Sequence, residues 1–403
     1  MNRYAKITPE GMKDALFTEC AALHEVRRRL SEVFDAYGYL QVLTPHMEFQ
    51  ELFLRESAAW LSELLYHASD SAGHPVVLRP DNTLPIARVA ATRLREMALP
   101  LRLYTHQHVF RRSRSYSGRS DEIPQSDVEL LGASGLRADL EILLCAVDAL
   151  HSCECPRFRL ELGHAGLFRA LADALNVDAE TRAALVHCIE TKNYPALEEL
   201  LSEAVGDDAE ALRQLPRLFG SEAVLQKGEA LLRGTAAAAP FGELQSLYAV
   251  LREAGLQRVI DIDLGLVHGQ EYYTGFVFRG YMEGSGVTLL SGGRYDGLLG
   301  EFGRPAAAVG FAVAYEPLAQ LLLEAGRLAP QPAPDLLVFA PAGLEALALR
   351  HVIQRRGEGL RCELALCETM EDARQYARTK GIARIAFCAG ADMTEDIPVD
   401  AGE

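Results

Sequence analysis

No stretch of this chain approaches the roughly 18 consecutive apolar residues that a membrane-spanning helix requires, so no such segment is expected. The opening MNRYAKITPEGMKDALF has no apolar core of the kind a secretory signal carries, and the expected location is the cytoplasm. Positive charge is the scarcer sign: 40 Lys and Arg stand against 56 Asp and Glu, a net charge of −16. Such a field repels polyanions and anionic membrane surfaces, which counts against a partner the size of tRNA. There is no CxxC pair. The eight cysteines are scattered, mostly among apolar neighbours, and the one close pair is Cys153 and Cys155 in HSCEC, beside His151. A CxC with no second pair at matching spacing is neither a zinc site nor a disulfide framework. No metal and no cofactor are expected. Internal repeats and low-complexity segments are absent too.

With 403 residues the chain is long enough for more than one domain, since single cores rarely grow past about 250–300 residues. Leu23, Val26, Leu30, Val33, Phe34 and Tyr37 recur at helical spacing over residues 18–37, and Gly38 is a natural stop. Strands are predicted at YLQVLTP, at Val76–Leu78 and at Leu101–Phe110. In the last of these His106 and His108 share a sheet face, without a third partner to make a metal site. A helix over Asp139–Leu150 and a strand at Phe158–Leu162 follow. Residues 164–253 are rich in Ala, Leu and Glu and read as an inserted helical subdomain, because strand patterns resume on its far side in RVIDIDLGLV, YYTGFVFRGY and GVTLLSG. Residues 326–334 contain LAPQPAP, a proline-rich linker. Beyond it, residues 335–403 alternate strand and helix as β-α-β-α-β, ending in a short acidic tail. The expected architecture is α+β: a domain over residues 1–325 and a small α/β unit after the linker.

Four stretches carry polar side chains where a fold would otherwise place core. LRPDNTLPIAR holds Asp81 and Thr83. VFRRSRSYSGRSDEIPQSDVELLG holds four arginines from Arg111 to Arg119, then Gln125 and Glu129. LVHGQEYYTGFVF holds His268, Tyr272 and Tyr273, and SGGRYDGLL holds Tyr295. On an extended segment the odd positions 125, 127 and 129 share one face, so Gln125, Asp127 and Glu129 point together. An unpaired carboxylate on a buried face is very costly. These groups therefore face either solvent or a polar ligand, and Asp81 and Glu129 suit a cationic nitrogen.

Taken together and in this order, the stretches resemble the class II histidyl-tRNA synthetase family over nearly the whole length to about residue 325. RPDNT resembles the family's amino-acid-binding RPEGT, and VFR…GR…Q…E its second motif. GQEYYTG is similar to its histidine signature RGLDYYTG, and GGRYDGLL with AVGFAVAYEPL to its third motif. The resemblance implies a class II antiparallel sheet with flanking helices. It also implies that Asp81 and Thr83 bind a ligand α-amine and that Gln125 sits at the amine and carboxylate end. Glu129 and Tyr273 would grip the two imidazole nitrogens, Tyr295 would line the pocket, and Arg111 would remain from the nucleotide set.

The departures matter as much. The signature arginine is His268 and the third-motif arginine is Pro317, which carries no charge. Ser113 stands where the second motif has glutamate. Losing two cations at about 3 kcal/mol each removes several orders of magnitude from a phosphate-centred reaction. Histidine recognition kept and adenylate chemistry dismantled is the pattern of the regulatory subunit of short-form ATP phosphoribosyltransferase, a synthetase paralogue. That family resemblance implies a short catalytic subunit as partner, joining ATP to phosphoribosyl pyrophosphate in the first step of histidine biosynthesis. It further implies a synthetase-like dimer within a mixed octamer, and histidine as a feedback effector. The alternatives are an active histidine–tRNA ligase and a sensor binding uncharged tRNA through RRSRSYSGR.

Overall fold

The computed structural model describes residues 3–54, 62–113, 120–267, 272–284, 286–328, 333–390 and 393–399. Two compact units divide the chain, Met1–Leu328 and Ala329–Glu403.

In the first unit the strands are β1 (Leu40–Gln41), β2 (Met47–Phe49), β3 (Tyr66–Ser69), β4 (Pro75–Leu78), β5 (Leu101–Phe110), β6 (Glu122–Leu131), β7 (Phe158–His164), β8 (Phe219–Gly220), β9 (Ile260–Asp263), β10 (Phe276–Met282), β11 (Thr288–Arg294) and β12 (Ala308–Ala314). Nine of them form one sheet in the order β1-β5-β6-β12-β11-β10-β7-β9-β8, while β2, β4 and β3 form a small second sheet. Only the β1–β5 and β7–β9 pairs of the large sheet are parallel. The long β5 and β6 pair along their whole length, Leu101 with Leu131 through Phe110 with Glu122.

The period of two along β6 divides the molecule. Val128 and Leu130 enter a core shared with helix Thr18–Ala36 and helix Leu136–Ser152. Helix Thr18–Ala36 buries Ala22, Val26, Leu30 and Phe34, a stripe at four-residue spacing, and Gly38 follows it at φ +78°. Each such fully buried Leu or Phe contributes about 1.5–3 kcal/mol. His106 belongs to this face: its ring nitrogens meet Ser126 Oγ at 2.6 Å and Ser31 Oγ at 2.8 Å, and burial pushes its pKa down to about 4. It is a satisfied core histidine. The opposite face of β6 carries Gln125, Asp127 and Glu129 and packs with a second core containing Leu84, Ile86, Tyr272, Tyr273 and Tyr295.

Between β7 and β9 run the helices Ala165–Ala174, Ala179–Glu190, Tyr194–Leu200, Asp207–Gln214, Ala223–Leu232 and Ala238–Glu253. Asp178 and Asn193 cap two of them through the N–H groups of Thr181 and Ala196. The segment read as helical also contributes the two-residue β8, which extends the large sheet beside β9.

The second unit has strands β13 (Leu336–Phe339), β14 (Cys362–Leu364), β15 (Arg384–Gly390) and β16 (Met393–Pro398), in the order β14-β13-β15-β16. β13 is buried on both faces, Leu336 and Val338 toward helix Glu345–Gly357, Leu337 and Phe339 toward helix Met370–Lys380. The acidic tail of the sequence reading is corrected here: MTEDIP pairs antiparallel with β15, Arg384 with Pro398 and Ile385 with Ile397. A polar edge strand ending in proline has no apolar pattern to announce it.

Candidate functional site

The site begins at the RPDNT turn after β4. Arg79 is fully buried, and its guanidinium donates to the carbonyls of Thr44, Pro45 and His108 at 3.1, 3.0 and 2.9 Å and to Thr44 Oγ1 at 3.0 Å. This ties the turn to two other segments. Helix Thr83–Ala91 leaves the turn, and Asp81 Oδ1 accepts the Leu84 N–H at 3.0 Å. Arg111 at the end of β5 donates through Nε to the Pro80 carbonyl at 2.7 Å, with Nη2 4.0 Å from Asp81 Oδ2.

Across the turn, β6 presents its polar face. Thr83 Oγ1 donates to Glu129 Oε1 at 2.7 Å, and the Tyr295 hydroxyl donates to Oε2. Gln125 Nε2 donates to Asp127 Oδ1 at 2.6 Å and Asn82 Nδ2 to Oδ2 at 2.7 Å. Tyr272, Tyr273 and Tyr295 pack their rings together, the first two with centroids 4.8 Å apart. The floor is made of small residues, Ser291, Gly310, Ala312 and Ala314. Gly293 is required beside them, because a Cβ there would stand 2.9 Å from the Tyr273 ring.

Asp81, Thr83, Arg111, Gln125, Glu129, Tyr273 and Tyr295 thus line one cavity of about 200 Å³. The sequence assigned Thr83 to a ligand amine with Asp81. In the structure its hydroxyl donates to Glu129 and keeps its lone pairs as acceptors, and Tyr295, expected to line the pocket, is Glu129's other partner. Pro317 is not in this wall. It is in the first turn of helix Tyr315–Glu324 and borders an adjoining hollow with Lys13, Glu19 and Met282, and Leu289 lines both. His268 and the arginines at 114 and 119 fall outside the described residues. Tyr272 and Ile123 line the cavity without having been assigned to it. Tyr272 was legible only as half of a tyrosine pair, because adjacent residues share a pocket only off a regular strand.

Charge dominates this cavity. Burial raises the pKa of Glu129 well above the usual carboxylic range, against the pull of its bonds to Tyr295 and Thr83. Burial pushes Asp127 up to about 7, opposed by the Asn82 bond and reinforced by Asp81. Asp81 is raised by burial and held down by Arg111. Three buried carboxyls close together resist joint ionisation, and a cationic ligand relieves them. A carboxyl partnered by one phenol with a second tyrosine close by suits imidazole nitrogens, and the Asp81–Gln125–Arg111 end suits an ammonium beside a carboxylate. Among the described residues no group of three or more His, Cys, Asp or Glu is arranged to hold a metal. Cys153 and Cys155 are free and buried, their thiols raised by burial, the second to about 11.

The family profile of histidyl-tRNA synthetase matches residues 11–318. An ATP phosphoribosyltransferase regulatory subunit from Clostridium kluyveri is 34% identical over 386 residues, 95% of this chain and 99% of its own. A protein of the same description from Symbiobacterium thermophilum is 38% identical over 383 residues, 94% of this chain and 95% of its own. The crystal structure of an ATP phosphoribosyltransferase regulatory subunit/histidyl-tRNA synthetase from Bacillus halodurans matches with a TM-score of 0.81 at 28% identity, covering 97% of this chain and 100% of that one. A histidyl-tRNA synthetase from a Nostoc species shares the fold, with a TM-score of 0.74 at 21% identity over 98% of this chain and 97% of its own.

Proposed function

The chain belongs to the ATP phosphoribosyltransferase regulatory subunits, within the histidyl-tRNA synthetase family, and we propose that it works as a non-catalytic subunit that senses histidine. The carrying observation is the Glu129 carboxyl, held between Thr83 and Tyr295 in a buried, acid-rich cavity with Arg111 at its other end. Imidazole nitrogens meet Glu129 and Tyr273, the α-ammonium meets Asp81 and Gln125, and the carboxylate meets Arg111. A site built to bond both ring nitrogens rejects apolar side chains of similar size, which would strand its buried polar groups.

Adenylate formation is a different demand. It needs cations where phosphate charge develops, and Pro317 supplies none. The partner is a short catalytic subunit that performs the transfer between ATP and phosphoribosyl pyrophosphate in the cytoplasm, where histidine biosynthesis takes place. Histidine biases that mixed assembly through a coupling free energy between its own site and the catalytic one. Self-association is supported by apolar side chains exposed between residues 40 and 54, among them Leu40, Leu43, Met47, Phe49 and Leu54. Among the described residues no helix is long and apolar enough to cross a membrane.

The test is calorimetric titration of histidine into the purified chain, alone and with the short catalytic subunit, beside an assay of histidine-dependent ATP–pyrophosphate exchange. Micromolar binding that shifts when the partner is added, with no exchange, is the expected result. Exchange at useful rates would return the chain to the histidine–tRNA ligases. Absence of heat in both titrations leaves a subunit that acts on its partner without sensing histidine.

A further inference from the structure

Resting on the reading of the cavity as a histidine site, we propose that Asp127 is a positioning residue: its carboxylate fixes the side-chain amide of Gln125 with the carbonyl oxygen toward the cavity, setting the site to take a primary ammonium.

Gln125 lines the cavity, whereas Asp127 is not part of its wall and is 1% exposed. The two share a face of β6, two residues apart. Asp127 is flanked in register by Thr105 on β5 and Ala312 on β12. Both of its oxygens receive side-chain amide N–H groups, Oδ1 from Gln125 at 2.6 Å and Oδ2 from Asn82 at 2.7 Å. Both Asp127 oxygens accept, so each amide turns its NH2 toward Asp127 and its oxygen away.

Asn82 shows how strongly this demand is felt. It is fully buried, and among the described residues its Oδ1 finds no partner while its Nδ2 serves Asp127. For Gln125 the same demand has a useful consequence. One of its two Nε2 N–H bonds goes to Asp127, which turns the oxygen to the other side of the amide as its acceptor for a ligand. Asp81 lines the same cavity, and the two side chains offer acceptors to an ammonium with several N–H bonds to place. An amide turned the other way would set its NH2 against that ammonium.

The experiment compares L-histidine with 3-(imidazol-4-yl)propionate, which keeps the ring and the carboxylate and lacks the ammonium. Calorimetric titrations give the ratio of the two dissociation constants. In the natural chain histidine binds more tightly. Asp127→Asn lowers that preference about tenfold or more, the range for losing one hydrogen bond to a charged group. The double variant Gln125→Glu with Asp127→Asn restores it, since the new Asn amide donates to a Glu carboxylate that still shows the cavity an oxygen. A purely structural role would not be rescued by exchanging donor and acceptor. On a Gln125→Ala background, Asp127→Asn changes the ratio no further; a second loss there would mean that Asp127 acts as a bare charge and would overturn the proposal. An undiminished ratio in Asp127→Asn overturns it equally. Should Asp127→Asn alone not fold, the double variant must keep the preference that Gln125→Ala loses, and loss in both overturns it. Failure of histidine to bind the natural chain removes the reading of the site instead, so the two failures are told apart.

Discussion

The Glu129 carboxyl lies across Gly310. The two face each other in the β6–β12 register, and a Cβ built on Gly310 would overlap Glu129 Oε2. The glycine is there for room, since only a residue without a side chain lets the acid lie low on the sheet, beneath the Tyr295 hydroxyl. Gly310→Ala should therefore push the carboxyl from its place and lower histidine affinity by roughly a hundredfold or more, with a thermal-unfolding cost typical of overpacking, about 1–3 kcal/mol. Titration and melting curves on the same sample separate the two effects. Unchanged affinity would mean that Glu129 is not a ligand contact.

Glu129→Ala removes the acceptor itself. A hydrogen bond to a charged group is worth about 1.5–3 kcal/mol, so histidine should bind at least about tenfold more weakly. Feedback inhibition of the assembled enzyme should weaken in parallel. Feedback that survives while binding to this chain is lost would place the inhibitory site on the catalytic subunit.

Histidine binding should also release protons. Burial raises the Glu129 pKa well above the usual carboxylic range, and a cationic ligand nearby favours its ionised form. Titrations near pH 7 in buffers of different ionisation enthalpy should give observed heats that rise or fall with the buffer, in the sense of protons leaving the protein. Heats independent of buffer would show that Glu129 keeps its charge state throughout.

Asp127 gives the stability of the chain a pH dependence. Its folded-state pKa of about 7 lies above the unfolded value of about 3.9. Between those values the native state holds more protons than the unfolded one. The contribution of this group therefore falls as pH rises from about 4 to 7 and is fully lost above. Asn cannot ionise, so Asp127→Asn should gain stability relative to the natural chain between pH 5 and pH 8, by a few kcal/mol at most. Urea unfolding at both pH values measures the difference, and a constant offset between the two proteins would contradict it.

The sequence alone determined what depends on short periods and on the order of motifs. The four-residue stripe of Thr18–Ala36, the face shared by Gln125, Asp127 and Glu129, and the succession of RPDNT, QSDVE, YYTG and GGRYD were enough for the class II synthetase-like fold and for a regulatory subunit. Only the tertiary structure decided which groups meet. The fold sets Thr83 Oγ1 2.7 Å from Glu129, a contact the motif did not announce, and Tyr295 joins Glu129 across 166 positions of sequence. β16 was hidden because an edge strand facing water needs no apolar alternation. Pro317 borders a hollow that shares Leu289 with the cavity, a neighbourhood that motif order alone does not give. Backbone periodicity is fixed by neighbours in sequence, whereas hydrogen-bond partners are fixed by strand register between distant segments, and register is a property of the whole sheet.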